Sequence, residues 1–267
     1  NKINSDDLKN FADKYYTPSN TVIAVVGDFN TDDIKEKLEN RFINVSKVKT
    51  KDIFDFKEED RGKGAVYLTA KEDASQSSLH LGHSGITRNN NDYLNVSFLN
   101  TLLGGSFTSR INKNLREKNG LTYGARSAFN ARMFSGDFSV ETEINSDKTG
   151  FAVEEILFEL NDIRENFVSD EELENTKNYI IGNYPLQLET ANSVSGKLMT
   201  LELYGLDKDY YDLYLSRINS ITKEVVRDTA RKYIHPEKLK FVAAGDVSKM
   251  KKQLSKFGDI EIIDKVI

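Results

Sequence analysis

Two stretches set 218 residues apart carry the same order of apolar and polar positions. Residues 11–28 read FADKYYTPSNTVIAVVGD, and residues 229–246 read TARKYIHPEKLKFVAAGD. Ala12/Ala230, Lys14/Lys232, Tyr15/Tyr233, Pro18/Pro236, Gly27/Gly245 and Asp28/Asp246 are identical. Each copy predicts a helix ending at an aromatic, a proline break, an apolar strand and a Gly-Asp stop. A second helix follows in both, Thr31–Phe42 and Ser248–Phe257, with Thr31 and Ser248 as N-caps. A common helix–turn–strand unit would give the same grammar. The run of identities favours a duplication, of which the chain holds the tail of one copy and all of the next.

Between the copies the period changes several times. Residues 45–64 are charge-mixed without a clean repeat and read as a solvated connector. Ala65–Ala70 and Gln76–Ser84 read as strands. Asp92–Leu103 has helical spacing at Leu94, Phe98 and Leu102, and Ser106–Lys118 reads as a second helix that stops at Gly120. Leu121–Met133 and Asp137–Ile144 read as adjacent strands, with Leu121, Tyr123 and Ala125 on one side of the first. Thr149–Asn166 is amphipathic, and Ser169–Glu172 is a capping box that opens the next helix. Helices continue to Ile234, with Pro185 ending or kinking one of them, and Leu239–Gly245 closes the set as a strand. The expected fold is α+β: an antiparallel-rich mixed sheet packed on a layer of helices, preceded by the tail of a second such domain. The expected division is 1–45 for that tail, 46–60 for a linker and 61–267 for the main domain.

Composition narrows the chemistry. Hydrophobic residues are 38% of the 267, enough for a sizeable core. Lys plus Arg number 37 against 42 Asp plus Glu, so a broad basic face for nucleic acid is not expected. No apolar run approaches the roughly 20 residues of a membrane helix. The absence of Cys excludes disulfides, thiolate metal sites and Cys nucleophiles, and three His argue against a His-rich centre. The chain opens on Asn1 and is expected to be a fragment or a processed chain, so missing targeting signals carry no weight.

The stretch Leu102–Ser127, LLGGSFTSRINKNLREKNGLTYGARS, is the richest in chemistry. Gly104, Gly105 and Ser106 precede a helix and offer backbone amides to a carbonyl or anion. A Walker lysine does not follow, so a nucleotide phosphate loop is not expected. Arg116 lies near the helix end and Tyr123 just past the Gly120 turn. A guanidinium and a phenol are donors that hold their protons near neutral pH, and together they suit a polarised carbonyl or an oxyanion. Two plainer roles stay open: Arg116 as a helix cap or a partner of Glu117, and Tyr123 as a half-buried strand aromatic. His80-x-x-His83 on a strand puts its rings on opposite faces, and His235 before Pro236 reads as a turn residue. Glu154/Glu155 and Asp170/Glu171/Glu172 read as helix starts or solvated faces, and Tyr204–Tyr211 as a packing and capping segment.

Taken in order, YYTPSN…VVGD, LLGG…SRI…LREKNGLTYGARS, Pro185-Leu-Gln-Leu-Glu189 and the closing helix–Pro–strand–Gly-Asp resemble the inverzincin, or pitrilysin/insulinase-type M16, metallopeptidases, and most of all their processing-peptidase-like bacterial group. The resemblance implies two homologous α+β halves around a chamber. One half binds zinc through His-x-x-Glu-His and a distant Glu. The other orients the peptide through an Arg/Tyr pair, which Arg116 and Tyr123 match, beside a glycine-rich loop matched by Gly104–Gly105. His-x-x-Glu-His is absent here, and if the two halves are duplicates, Ser97-Phe-Leu-Asn100-Thr101 would occupy its place. Those side chains cannot replace two imidazoles and a carboxylate base, so the chain is expected to bind no metal itself. The implied cofactor is zinc held by a homologous half, on the same polypeptide or a separate subunit, in a homo- or heterodimer where the halves are separate. The implied partner is a peptide. A catalytically inactive peptide-binding or scaffold subunit is the alternative. The resemblance and the lack of Cys imply a periplasmic or otherwise extracytoplasmic setting, with the cytoplasm as the alternative.

Overall fold

The computed structural model describes residues 3–42, 65–71 and 74–263. They fall into two compact units, residues 1–57 with 183–210 and residues 58–182 with 211–267. The expected connector at 46–60 lies outside the described residues.

In the smaller unit, α1 (Ser5–Tyr15) opens on a capping box between Asn4 and Asp7, and Pro18 breaks the chain after it. Helices α2 and α7 span Thr31–Phe42 and Ala191–Tyr204. The stretch 21–26, expected as a strand, has no ladder among the described residues, because a strand forms only against a partner edge. The cap of α2 is Asn30, not Thr31: Asn30 Oδ1 accepts from the Asp32 and Asp33 amides.

The larger unit holds a six-stranded sheet in the order β3-β4-β2-β5-β1-β6. Its strands are β1 (Val66–Ala70), β2 (Gln76–Ser84), β3 (Ala125–Ala131), β4 (Gly136–Asn145), β5 (Lys240–Gly245) and β6 (Ile260–Ile262). Pairing is antiparallel from β3 through β4 and β2 to β5, and parallel from β5 to β1 to β6. Strand β6 at the edge was not expected from the sequence. Residues on β2 and β4 alternate buried and accessible along their length. Leu79, Leu81, Phe138, Val140 and Ile144 therefore all reach one face.

Helices cover that face. They include α3 (Tyr93–Asn100, running on through Gly105), α5 (Thr149–Glu165), α8 (Tyr214–Asn219), α9 (Lys223–Tyr233) and α10 (Val247–Leu254). Phe98, Leu99, Ile111, Ile156, Leu160 and Ala230 pack into a single core with the strand residues. At the start of α10 the cap is Asp246, whose Oδ1 accepts from the Ser248 amide, where Ser248 was expected. The Ser169–Glu172 capping box forms as expected and opens α6 (Asp170–Asn183). Among the described residues no helix is long and apolar enough to cross a membrane.

Candidate functional site

The opposite face of the sheet is left open, and a cleft of about 510 Å³ lies on it. Its floor comes from the outward positions of adjacent strands: Ser78 and His80 on β2, Glu141 and Glu143 on β4, and Arg126 on β3. Register explains the grouping, since Glu141 lies between His80 and Arg126 across the ladder. His80 Nδ1 is 3.7 Å from Glu141 Oε1. Gly104, Gly105, Ser106 and Phe107 form one wall, and Gly124 and Ala125 are also among the lining residues. Sequence reasoning found the glycine wall and missed the charged floor. The alternation along β4 was the available signal, but the register that gathers three strands is not local.

The glycines are required by packing. A Cβ on Gly104 would lie 2.4 Å from Ser127 Oγ and 2.5 Å from the Ser127 amide nitrogen. The helix approaches β3 this closely because Asn100 locks onto Ser127. Its Nδ2 donates to the Ser127 carbonyl at 3.1 Å, and its Oδ1 accepts from the Ser127 hydroxyl at 2.8 Å. Thr101 spends its hydroxyl on the Ser97 carbonyl. Asn100 and Thr101, in the stretch expected to take the place of a zinc motif, are therefore framework, and with Ser97 they do not offer the imidazoles and carboxylate a metal would need. No group of three or more His, Cys, Asp or Glu that could hold one occurs among the described residues.

Behind the wall runs α4 (Arg110–Asn112), which continues as wider turns through Lys118. The expected helix at Ser106–Lys118 starts late because Ser106–Ser109 makes a turn, closed by the Ser109 amide on the Ser106 carbonyl. Two buried contacts the sequence did not reveal fix this helix. Asn112 bridges the Phe107 carbonyl (2.5 Å) and the Ala125 amide (3.1 Å). Arg110 forks onto both oxygens of Glu172 at 2.6 and 3.0 Å and reaches Asp162 at 2.6 Å. Burial opposes charge on Glu172, yet the Arg110 and Ser169 hydrogen bonds win and hold its carboxyl below the usual range. Glu172 is thus an anchor as well as a cap, not a solvated side chain.

Arg116 and Tyr123 stand outside the cleft lining, each next to a residue inside it. The Arg116 guanidinium lies 4.3 Å over the ring of Phe107, a wall residue. Tyr123 precedes Gly124 and is 93% exposed. The expected strand from Leu121 begins only at Ala125, so Tyr123 does not share the face of buried Ala125 and is no half-buried strand aromatic. Its backbone is nonetheless tied at both ends. Gly120 takes a left-handed turn with φ of +59° that lets the Leu121 amide reach back to the Leu115 carbonyl at 2.8 Å. On the far side the Thr142 hydroxyl bridges the Thr122 hydroxyl (3.1 Å) and the Gly124 carbonyl (3.0 Å).

His80 and His83 lie on opposite faces, as a spacing of three requires. His235 takes the expected turn role, its amide donating to His83 Nε2 at 3.1 Å.

The chain is similar to known proteins in sequence and in fold. The family model described as "Peptidase M16 inactive domain" matches residues 2–180. A protein of Bacillus subtilis named an uncharacterized zinc protease is 28% identical over 230 residues, 85% of this chain and 54% of its own length. A Helicobacter pylori protein named a non-peptidase homolog is 22% identical over 94% of this chain and 57% of its own length. The chain spans about half the length of the curated relatives it matches. The solved structure of a peptidase M16 inactive domain from Pseudomonas fluorescens superposes with a TM-score of 0.82 at 26% identity, covering 91% of this chain and 58% of that one. With well over half its length matched by that model, the chain belongs to the M16 peptidase family, of which it carries the inactive domain.

Proposed function

We propose that this chain is the substrate-binding and oxyanion-stabilising half of a zinc-dependent peptidase that cleaves peptides in a chamber between two halves. Zinc and the general base come from a homologous half, on the same polypeptide or a separate subunit. Residues 1–45 belong to that half, 46–60 connect, and 61–267 form the inactive half. The observation that carries the reading is the Gly120–Gly124 loop. Its backbone is pinned at both ends while the Tyr123 ring stands in solvent at the rim of a cleft. A fixed backbone that presents a free O–H donor is preorganised to meet a charge developing on a substrate oxygen. Arg116, stacked on Phe107, supplies the second donor. Gly104, Gly105 and Ser106 bind the peptide along the wall. The setting proposed with this reading is extracytoplasmic.

A second reading has one observation of its own, the Helicobacter relative named a non-peptidase homolog. In it the parent protein is an inactive subunit that binds peptides or acts as a scaffold. Metal analysis and a fluorogenic-peptide assay on the full-length protein separate the two. The first reading expects stoichiometric zinc ligated outside residues 1–267 together with cleavage. The second expects peptide binding with neither. Zinc ligated by residues of this chain contradicts both.

A further inference from the structure

The two copies of the repeated unit share the helix and the proline turn, but only the second has its strand, and their surroundings are opposite. In the second copy the apolar side of α9 and β5 is covered: Val226 is 1% exposed, Thr229 6%, Phe241 4% and Ala243 0%. The same offset maps these onto Leu8, Phe11, Ile23 and Val25 of the first copy, which are 64%, 55%, 47% and 41% exposed. Four apolar side chains on one helix–strand unit are thus open where their counterparts are closed. The second copy shows what closes such a unit: β5 is inserted between β2 and β1, while α9 lies against α3.

The second copy also shows how the unit is latched. Lys232 Nζ and Tyr233 Oη both donate to one oxygen of Asp92, at 2.6 Å each. Asp92 is the residue immediately ahead of α3, where a carboxylate also meets the positive end of the helix. In the first copy Lys14 and Tyr15 repeat this pair, and Lys14 Nζ stands 5.1 Å from the Tyr15 ring centroid, as Lys232 does from Tyr233. Neither Lys14 Nζ nor Tyr15 Oη has a carboxylate partner among the described residues.

With residues 1–45 assigned to the other half, Leu8, Phe11, Ile23 and Val25 are the side chains that face into it. We infer that Lys14 and Tyr15 latch onto a carboxylate at the start of that half's counterpart of α3, as Lys232 and Tyr233 do on Asp92. This rests on the proposed two-half reading and adds to it a named contact. By the duplication, the helix so pinned occupies the place of the zinc-motif helix, which makes Lys14 and Tyr15 positioning residues for it.

The test is a structure of the full-length protein, or of its complex if the halves are separate chains. The expected result is an Asp or Glu carboxylate at a helix start within hydrogen-bond distance, about 3 Å, of both Lys14 Nζ and Tyr15 Oη. The full-length variant carrying Lys14→Met and Tyr15→Phe should then unfold about 2–8 °C lower. Replacing the identified carboxylate by its amide should give a shift that does not add to this one. Lys14 and Tyr15 in solvent, an assembly without a second α+β half, or an unchanged unfolding temperature overturns the inference. A latched protein that cleaves no peptide would remove the proposed activity and keep the latch. A cleaving protein with Lys14 and Tyr15 unpaired would do the reverse.

Discussion

His80 and His83 stand three residues apart on β2 and have opposite surroundings. His80 is half exposed on the floor of the cleft, 3.7 Å from the Glu141 carboxylate. His83 is buried against the Phe138 ring, with centroids 5.0 Å apart. Its Nδ1–H donates to the Ser84 carbonyl at 2.7 Å, and its Nε2 accepts the His235 amide at 3.1 Å. Burial, the largest influence, pushes its pKa down to about 4. The pair separates the two jobs of the sheet. On the covered face both ring nitrogens are spent and the packing is mostly hydrocarbon, so that face sets stability. The open face leaves carboxylates, a guanidinium and an imidazole beside a cleft, so that face is available to bind.

If this division holds, substitutions on the two faces give different readouts. The largest effect is expected from Phe138→Ala, which empties a fully buried ring site and should cost about 3–5 kcal/mol in denaturant unfolding. Next comes the pH dependence set by His83. Above the ordinary histidine value near 6.5, folded and unfolded states are both neutral and stability is full. As pH falls from there toward about 4, the unfolded state takes up a proton that the buried ring refuses. Stability should drop through that window, by about 3 kcal/mol at its end, and His83→Gln should flatten this part of the profile. Gly104→Ala forces a methyl against the Ser127 backbone and should cost about 1–3 kcal/mol, showing that the cleft wall belongs to the framework. The smallest effect falls on the open face. Glu143→Gln should leave stability within about 0.5 kcal/mol and weaken a lysine- or arginine-rich peptide about two- to fivefold, read by fluorescence anisotropy. Loss of folding from Glu143→Gln would break the comparison.

Much of the fold was legible because it is local. The bounds of β2, the capping box at Ser169 and the stop at Gly120 all follow from side-chain period or from single residues with special backbone needs. What the sequence concealed is long-range. The Arg110–Glu172 fork spans 62 residues, and β6 is three residues long and exists because β1 offers an edge. The caps at Asn30 and Asp246 were displaced by one and two residues, since the capping side chain sits in extended backbone ahead of the first helical residue. Of the site, the glycine pair drew notice as the start of a helix, whereas it ends the helical run Thr101–Gly105 and lines the cleft from there, and the floor of Ser78, His80, Arg126, Glu141 and Glu143 needed the register of three strands.

The claim that this half grips the peptide while another half carries the metal is tested most directly at Tyr123. Turnover of a fluorogenic peptide by the full-length protein should be compared with that of its Tyr123→Phe variant, with unfolding followed in parallel. The account predicts that kcat falls on the order of ten- to a thousandfold while the unfolding midpoint stays put, because the lost hydroxyl stands in solvent. Unchanged turnover, or a loss of activity that follows a loss of folding, would contradict it.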